Sequence, residues 1–147
     1  MMNVGEIDMN ILLIEDNHAD AHLLTELMAE NPSGPTIHWV TDGYQALDYI
    51  YQRGEHHDSP RPDAIMLDLG LPRVNGYEVL KQLKDNPSFA SIPIIILTTS
   101  RNPLDSTQCN ILGADAFLSK PHNLKGFEAL ADRLITKELP RLLPAAA

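Results

Sequence analysis

In the stretch AIMLDLGLP, residues 64–72, a single carboxylate, Asp68, interrupts an apolar run that ends in turn residues. A buried carboxylate without a partner is costly, so packing alone does not account for Asp68. Other polar residues stand at the same point relative to apolar runs of their own. Glu15 and Asp16 follow Ile11–Ile14, Thr98 closes Ile94–Leu97, and Lys120 follows Ala116–Leu118. Three carboxylates brought together repel one another and stay ionised only beside a cation. An all-oxygen cluster suits Mg²⁺, with Mn²⁺ as a substitute, since Mg²⁺ takes one or two carboxylates, carbonyls, waters and phosphate oxygens. A carboxylate can also attack phosphorus to form an aspartyl phosphate. Phosphoryl transfer asks a protein mainly for positioning and charge stabilisation. A metal, the Lys120 ammonium and the Thr98 hydroxyl would together meet that need.

These residues can meet only if the elements before them lie side by side. Ile11–Ile14 reads as a strand, followed by an amphipathic helix with Leu24, Leu27 and Met28 at helical spacing. Ile37–Val40 is a second strand, and Ala46, Leu47 and Ile50 mark a second helix. A polar loop over 54–63 leads to the Asp68 strand and then to a helix from about Gly76 carrying Val79, Leu80 and Leu83. The sequence Asp85-Asn86-Pro87 stops that helix. Ile94–Leu97 is the clearest buried strand; a weaker helix over 104–112 ends at Gly113. Ala116–Leu118 is the fifth strand, before a last helix with Leu124, Phe127, Ala131, Leu134 and Ile135. Such alternation implies an α/β fold, a doubly wound parallel sheet covered on both faces. In that architecture functional groups gather beyond the carboxyl ends of the strands, where Glu15, Asp16, Asp68, Thr98 and Lys120 all stand.

Composition narrows the partners. The 147 residues suffice for one domain with its own core. A net charge of −9 would repel a phosphate backbone, and no basic stripe is present, so nucleic acid is not an expected partner. No apolar run is long enough to span a bilayer, and the N-terminus lacks the pattern of a secretory signal. Cys109 is the only cysteine, which excludes an internal disulfide and fits a cytoplasmic location.

The segments IEDN (14–17), LDLGLPRVNGYEVL (67–80), IPIIILTTS (92–100) and GADAFLSKP (113–121) resemble the receiver domain of two-component response regulators. The resemblance runs over about residues 9–138. Within the family, the PRPD loop, LPR after Asp68 and LTTS are similar to the single-domain regulators paired with cyanobacterial phytochromes. The resemblance implies a flavodoxin-like sheet of order 2-1-3-4-5 with five helices. It also implies a flexible N-terminus over 1–8, a receiver domain over 9–138 and a C-terminal tail over 139–147. It makes Asp68 the acceptor of a phosphoryl group from the phosphohistidine of a sensor histidine kinase, of phytochrome type in the narrower match. Mg²⁺ would be held by Asp16 and Asp68, by the backbone carbonyl of Gly70, and by Glu15 through a water. Lys120 would neutralise the phosphoryl oxygens, Thr98 would move to hydrogen-bond one of them, and Phe117 would follow from an outward to an inward rotamer. The Lys120-Pro121 peptide is expected to be cis. Where the family has a very small residue after the switch threonine, this chain has Thr99, whose backbone N–H would, by the resemblance, contact the phosphoryl group.

Taken singly, each residue has a plainer reading: Asp68 as a turn cap, Lys120 as a solvated lysine, Phe117 and Trp39 as core. It is their joint order and spacing that favours the site. His18 and His22 are helix-spaced but lack a third ligand, and His56-His57 reads as a solvated pair. An aspartyl-phosphate phosphatase would carry a second aspartate where Gly70 stands, so turnover of small phosphate esters is not expected. An interaction module that has lost the chemistry would lack one of these polar residues, and all are present. With no output domain expected past the last helix, a second chain must read the signal. A homodimer through the fourth helix, fifth strand and fifth helix is the expected assembly, with Leu142 and Leu143 outside the core as further contact residues.

Overall fold

A computed structural model describes residues 9–32, 34–71 and 73–143. The expected flexible segment 1–8 and the end of the tail, 144–147, lie outside the described residues. Five strands, β1 (Asn10–Ile14), β2 (Thr36–Val40), β3 (Ala64–Leu67), β4 (Ile94–Thr98) and β5 (Ala116–Ser119), form one parallel sheet in the order β2-β1-β3-β4-β5. The helices that cross between them are α1 (His18–Ala29), α2 (Gly43–Ile50), α3 (Gly76–Asp85) and α4 (Pro103–Ile111), and α5 (Leu124–Arg133) follows β5. This is the expected flavodoxin-like order.

The strands are apolar throughout because successive side chains point to opposite faces and both faces are covered. Leu12, Ile14, Ile65, Leu67, Ile94 and Ile96 pack with α2, α3 and the buried Cys109 of α4. Ile11, Leu13, Ala64, Met66, Ile95 and Leu97 pack with α1 and α5. A fully buried side chain of this kind contributes about 1.5–3 kcal/mol, so the sheet's position between the helix layers is firmly set. Each of the helices α1–α5 starts on a side-chain cap. Asn17 accepts from the Asp20 N–H, Asp42 from Gln45, Asn75 from Glu78, Asn102 from Leu104 and Asn123 from Gly126. These caps fix where each chain leaves its strand.

The C-terminal end differs from the expected tail. After α5 the helix passes through a π turn, Leu134–Glu138, and continues as α6 (Leu139–Leu142). Proline inside a continuing helix cannot donate the intrahelical hydrogen bond, and Pro140 falls in the first turn of α6, directly after the π turn, where the winding of the helix changes. The π turn absorbs the change of phase, with the Leu139 N–H bonded to the Leu134 carbonyl. Leu139 is buried and Leu142 and Leu143 pack against the core under α1 and α5. Leu139 therefore belongs to the core, and Leu142 and Leu143 lie half-buried against it.

Candidate phosphoryl and metal site

Three backbone hydrogen bonds extend the ladders one residue past the strands and place the polar groups. The Glu15 N–H donates to the Val40 carbonyl (3.1 Å), Asp68 to Ile14 (3.1 Å) and Lys120 to Thr98 (2.8 Å). Asp68 is thereby held beside Glu15, and Lys120 beside Thr98. A glycine lets α3 close on this edge. A Cβ on Gly76 would lie 2.5 Å from the Asp68 carbonyl oxygen and 2.6 Å from the Leu69 Cα, so only glycine fits.

Carboxylate oxygens of Glu15, Asp16 and Asp68 lie within 4.8 Å of one another. Glu15 and Asp68 are buried, while Asp16 faces solvent and offers a path of entry. Lys120, also buried, places its Nζ 2.6 Å from Glu15 Oε1, 3.0 Å from Asp20 Oδ2 and 3.4 Å from Asp68 Oδ2. Burial pushes the Glu15 carboxyl up to about 8; the Lys120 hydrogen bond pulls it back and neighbouring Asp68 pushes it further up. For Lys120, burial works against the charge, but the hydrogen bonds it donates to Glu15 and Asp20 outweigh this and hold the ammonium above the usual lysine range. Three carboxylates thus share one ammonium, and Asp16 adds a fourth beside them. The surplus of negative oxygen is the donor set a hard divalent cation takes.

A cavity of about 510 Å³ opens above the cluster, lined by Asp16, Asp68, Gly70, Thr98, Thr99 and Lys120. The Gly70 N–H donates to Asp68 Oδ1 (3.1 Å), and the Thr98 hydroxyl accepts from the Ser100 N–H (3.2 Å). Phe117 is not in this cavity. It stands opposite Ile96 in the register, half-buried, and borders a separate cavity of about 340 Å³ beside Cys109. The larger cavity between α1 and α5, about 640 Å³, contains none of these groups.

Several features differ from the sequence reading or were absent from it. No peptide bond among the described residues is cis, so Lys120-Pro121 is trans. The trans form is the ordinary preference of an X–Pro bond by about 0.5–1 kcal/mol, and Pro121 packs against Gly126 in it. Trp39 is not core: it is 36% exposed, and its indole N–H donates to the Glu15 carbonyl (2.8 Å). His18 lies edge-on to that indole and His22 pairs with Glu26 (3.1 Å). Asp20 is absent from the sequence motifs of the site; its place in the first turn of α1, three residues after the cap, is the one local signal for it. Also unforeseen is a chain of hydrogen bonds at the cavity rim. The Tyr77 hydroxyl and the Ser100 hydroxyl both donate to Asp105, and these two bonds hold its carboxyl below the usual range, with Ser100 the larger cause.

The family model described as the response regulator receiver domain matches residues 11–134. Response regulator Rcp1 from Synechocystis is 40% identical over 115 residues, covering 78% of each chain. The probable methanogenesis regulatory protein FilR2 from Methanothrix harundinacea is 34% identical over 125 residues, 84% of this chain and 79% of that one. Among solved structures, the Mn²⁺-bound form of response regulator Rcp1 superposes with a TM-score of 0.84 at 34% identity, over 95% of this chain and 97% of the other. The phosphorylated cyanobacterial phytochrome response regulator RcpA does so with a TM-score of 0.85 at 33% identity, over 96% and 98%.

Proposed function

This chain belongs to the response regulator receiver domain family, and from that premise we propose that Asp68 accepts a phosphoryl group from the phosphohistidine of a sensor kinase. The observation that carries the reading is the placing of a buried lysine and two further carboxylates, Glu15 and Asp16, around one nucleophile, with Lys120 Nζ 3.4 Å from Asp68 Oδ2. An Asp68 oxygen lone pair forms the new O–P bond while the bond from phosphorus to the imidazole nitrogen breaks. That electron pair returns to the imidazole. Asp16, Asp68, the Gly70 carbonyl and, through a water, Glu15 would hold Mg²⁺ or Mn²⁺. When bound, such an ion neutralises charge on the transferring oxygens. Lys120 presents a fixed N–H to those oxygens, which helps more in a water-poor site than in bulk solvent. The Thr98 hydroxyl and the Thr99 N–H then bond the transferred group, and Phe117 turns inward behind the moving loop. A phytochrome-type kinase is the proposed donor, on the strength of what the relatives are: RcpA is a cyanobacterial phytochrome response regulator.

The proposed assembly is a homodimer through α4, β5 and α5. What supports it is β5 at the sheet edge and the exposure of Leu104 (72%) and Ile111 (73%) on α4.

The primary test is labelling with acetyl phosphate in Mg²⁺, read by intact mass. One phosphoryl group is expected on the chain, lost on treatment with hydroxylamine, absent in Asp68→Asn and absent when the metal is chelated. Label that survives hydroxylamine, or persists in Asp68→Asn, overturns the reading.

A further inference from the structure

A lysine ammonium has three N–H donors and no acceptor. Around Lys120 there are three carboxylate partners, Glu15 (2.6 Å), Asp20 (3.0 Å) and Asp68 (3.4 Å), one for each donor. They come from three elements: the end of β1, the first turn of α1 and the end of β3. The partner in α1 is presented on a fixed turn, because the Asp20 N–H is bonded to the cap Asn17 (3.0 Å). The Asp20 side chain is 26% exposed, where an unengaged carboxylate would turn to water; instead it reaches inward to the buried ammonium. The longest of the three contacts is the one to the nucleophile.

We propose that Asp20 is a positioning residue for phosphoryl transfer. With Glu15 it holds two of the three N–H groups of Lys120, so that the third points toward Asp68 and toward the oxygens of an arriving phosphoryl group. It also keeps the ammonium from closing onto Asp68. An ammonium in full contact with that carboxylate would hold the lone pair that must form the O–P bond. A flexible four-carbon side chain without this third anchor points its donors less sharply, and misplacement of a charged donor weakens stabilisation of the transferring group. The inference rests on the assignment of Asp68 as phosphoryl acceptor. The plainer role for Asp20 is an acid in the first turn of a helix, favourable to the helix dipole. That role affects stability and leaves Lys120 untouched.

The experiment compares wild type, Asp20→Asn and Asp20→Ala in two ways. The first is the ¹H–¹⁵N signal of the Lys120 ammonium in metal-free protein, visible only when the N–H groups are held and protected from exchange. The second is the phosphorylation rate as a function of acetyl phosphate at saturating Mg²⁺. The ammonium signal is expected in wild type and in Asp20→Asn, whose amide oxygen still accepts, and is expected to vanish in Asp20→Ala. The rate at saturating donor falls about tenfold in Asp20→Ala and stays within about threefold in Asp20→Asn. Asp20→Ala that keeps either the signal or the saturating rate, with only a lowered melting temperature, overturns the proposal, as does a wild-type spectrum without the signal. If instead wild type takes no label, or Asp68→Asn does, the acceptor assignment fails, and the ammonium signal still decides the role of Asp20.

Discussion

Glu15 lies behind Lys120, 3% exposed, where loss of hydration pushes its carboxyl from 4.5 up to about 8. The folded, metal-free chain therefore holds this proton more tightly than the unfolded one, and stability is lost as pH rises through that window. A divalent cation needs the carboxylates ionised and displaces the proton, so affinity for Mg²⁺ rises from about pH 6 to about pH 8 and then levels off. Release of a single proton sets a ceiling of about tenfold per pH unit. Trp39, the chain's single tryptophan, donates to the Glu15 carbonyl and so supplies the readout. Mg²⁺ titrations followed by its fluorescence at several pH values should show the rise; a flat affinity would contradict it. Thr98 is the second residue open to test. Its hydroxyl accepts from Ser100 in this structure, and a bond from it to a phosphoryl oxygen would be one to a charged group, about 1.5–3 kcal/mol. Thr98→Ala should still accept the phosphoryl group but show smaller amide shifts on phosphorylation. Shifts equal to wild type would remove Thr98 from the switch.

The β3–α3 connection shows how helices bear on the chemistry. It carries Gly70, whose N–H is bonded to Asp68, and it is clamped where Gly76 meets the Asp68 carbonyl. A methyl group added there has no soft side chain to displace, only backbone. Gly76→Ala is expected to lower stability by about 1–3 kcal/mol through overpacking and to weaken Mg²⁺ binding together with it, because the Asp68 backbone must shift. Denaturant unfolding and the Trp39 titration measure the two effects. An unchanged midpoint would show that the loop moves freely. On the opposite side of the cavity, the β4–α4 loop is tied down through Ser100 and Asp105 to Tyr77 of α3. Any inward movement of Thr98 takes place within that restraint.

At the scale of the whole molecule, the acidic surface and the exposed apolar side chains bear on assembly. The charge of −9 opposes contact with nucleic acid and also sets two copies against each other, so a dimer has to gain more from burying Leu104 and Ile111 than this repulsion costs. No helix among the described residues is long and apolar enough to cross a membrane. A dimer through α4, β5 and α5 should appear in light scattering at micromolar concentration, strengthened by Mg²⁺ with a beryllofluoride mimic of the phosphoryl group. Leu104→Glu with Ile111→Glu should return it to monomer. A wild-type monomer under every condition would exclude this interface.

What the sequence determined by itself was the order of elements and the strand-end placement of Glu15, Asp16, Asp68, Thr98 and Lys120. Apolar runs, turn residues and helix caps are local signals, and a parallel sheet brings the ends of its strands together without further information. Tertiary structure alone decided the partners of those groups. Asp20 reaches Lys120 across 100 positions of sequence, and Trp39 turns its indole to the Glu15 carbonyl from a neighbouring strand. Pro140 sits within a helix because a π turn precedes it, and Phe117 faces a cavity of its own instead of the one above Asp68. These outcomes depend on side-chain direction and on packing between distant elements, and local periodicity carries neither.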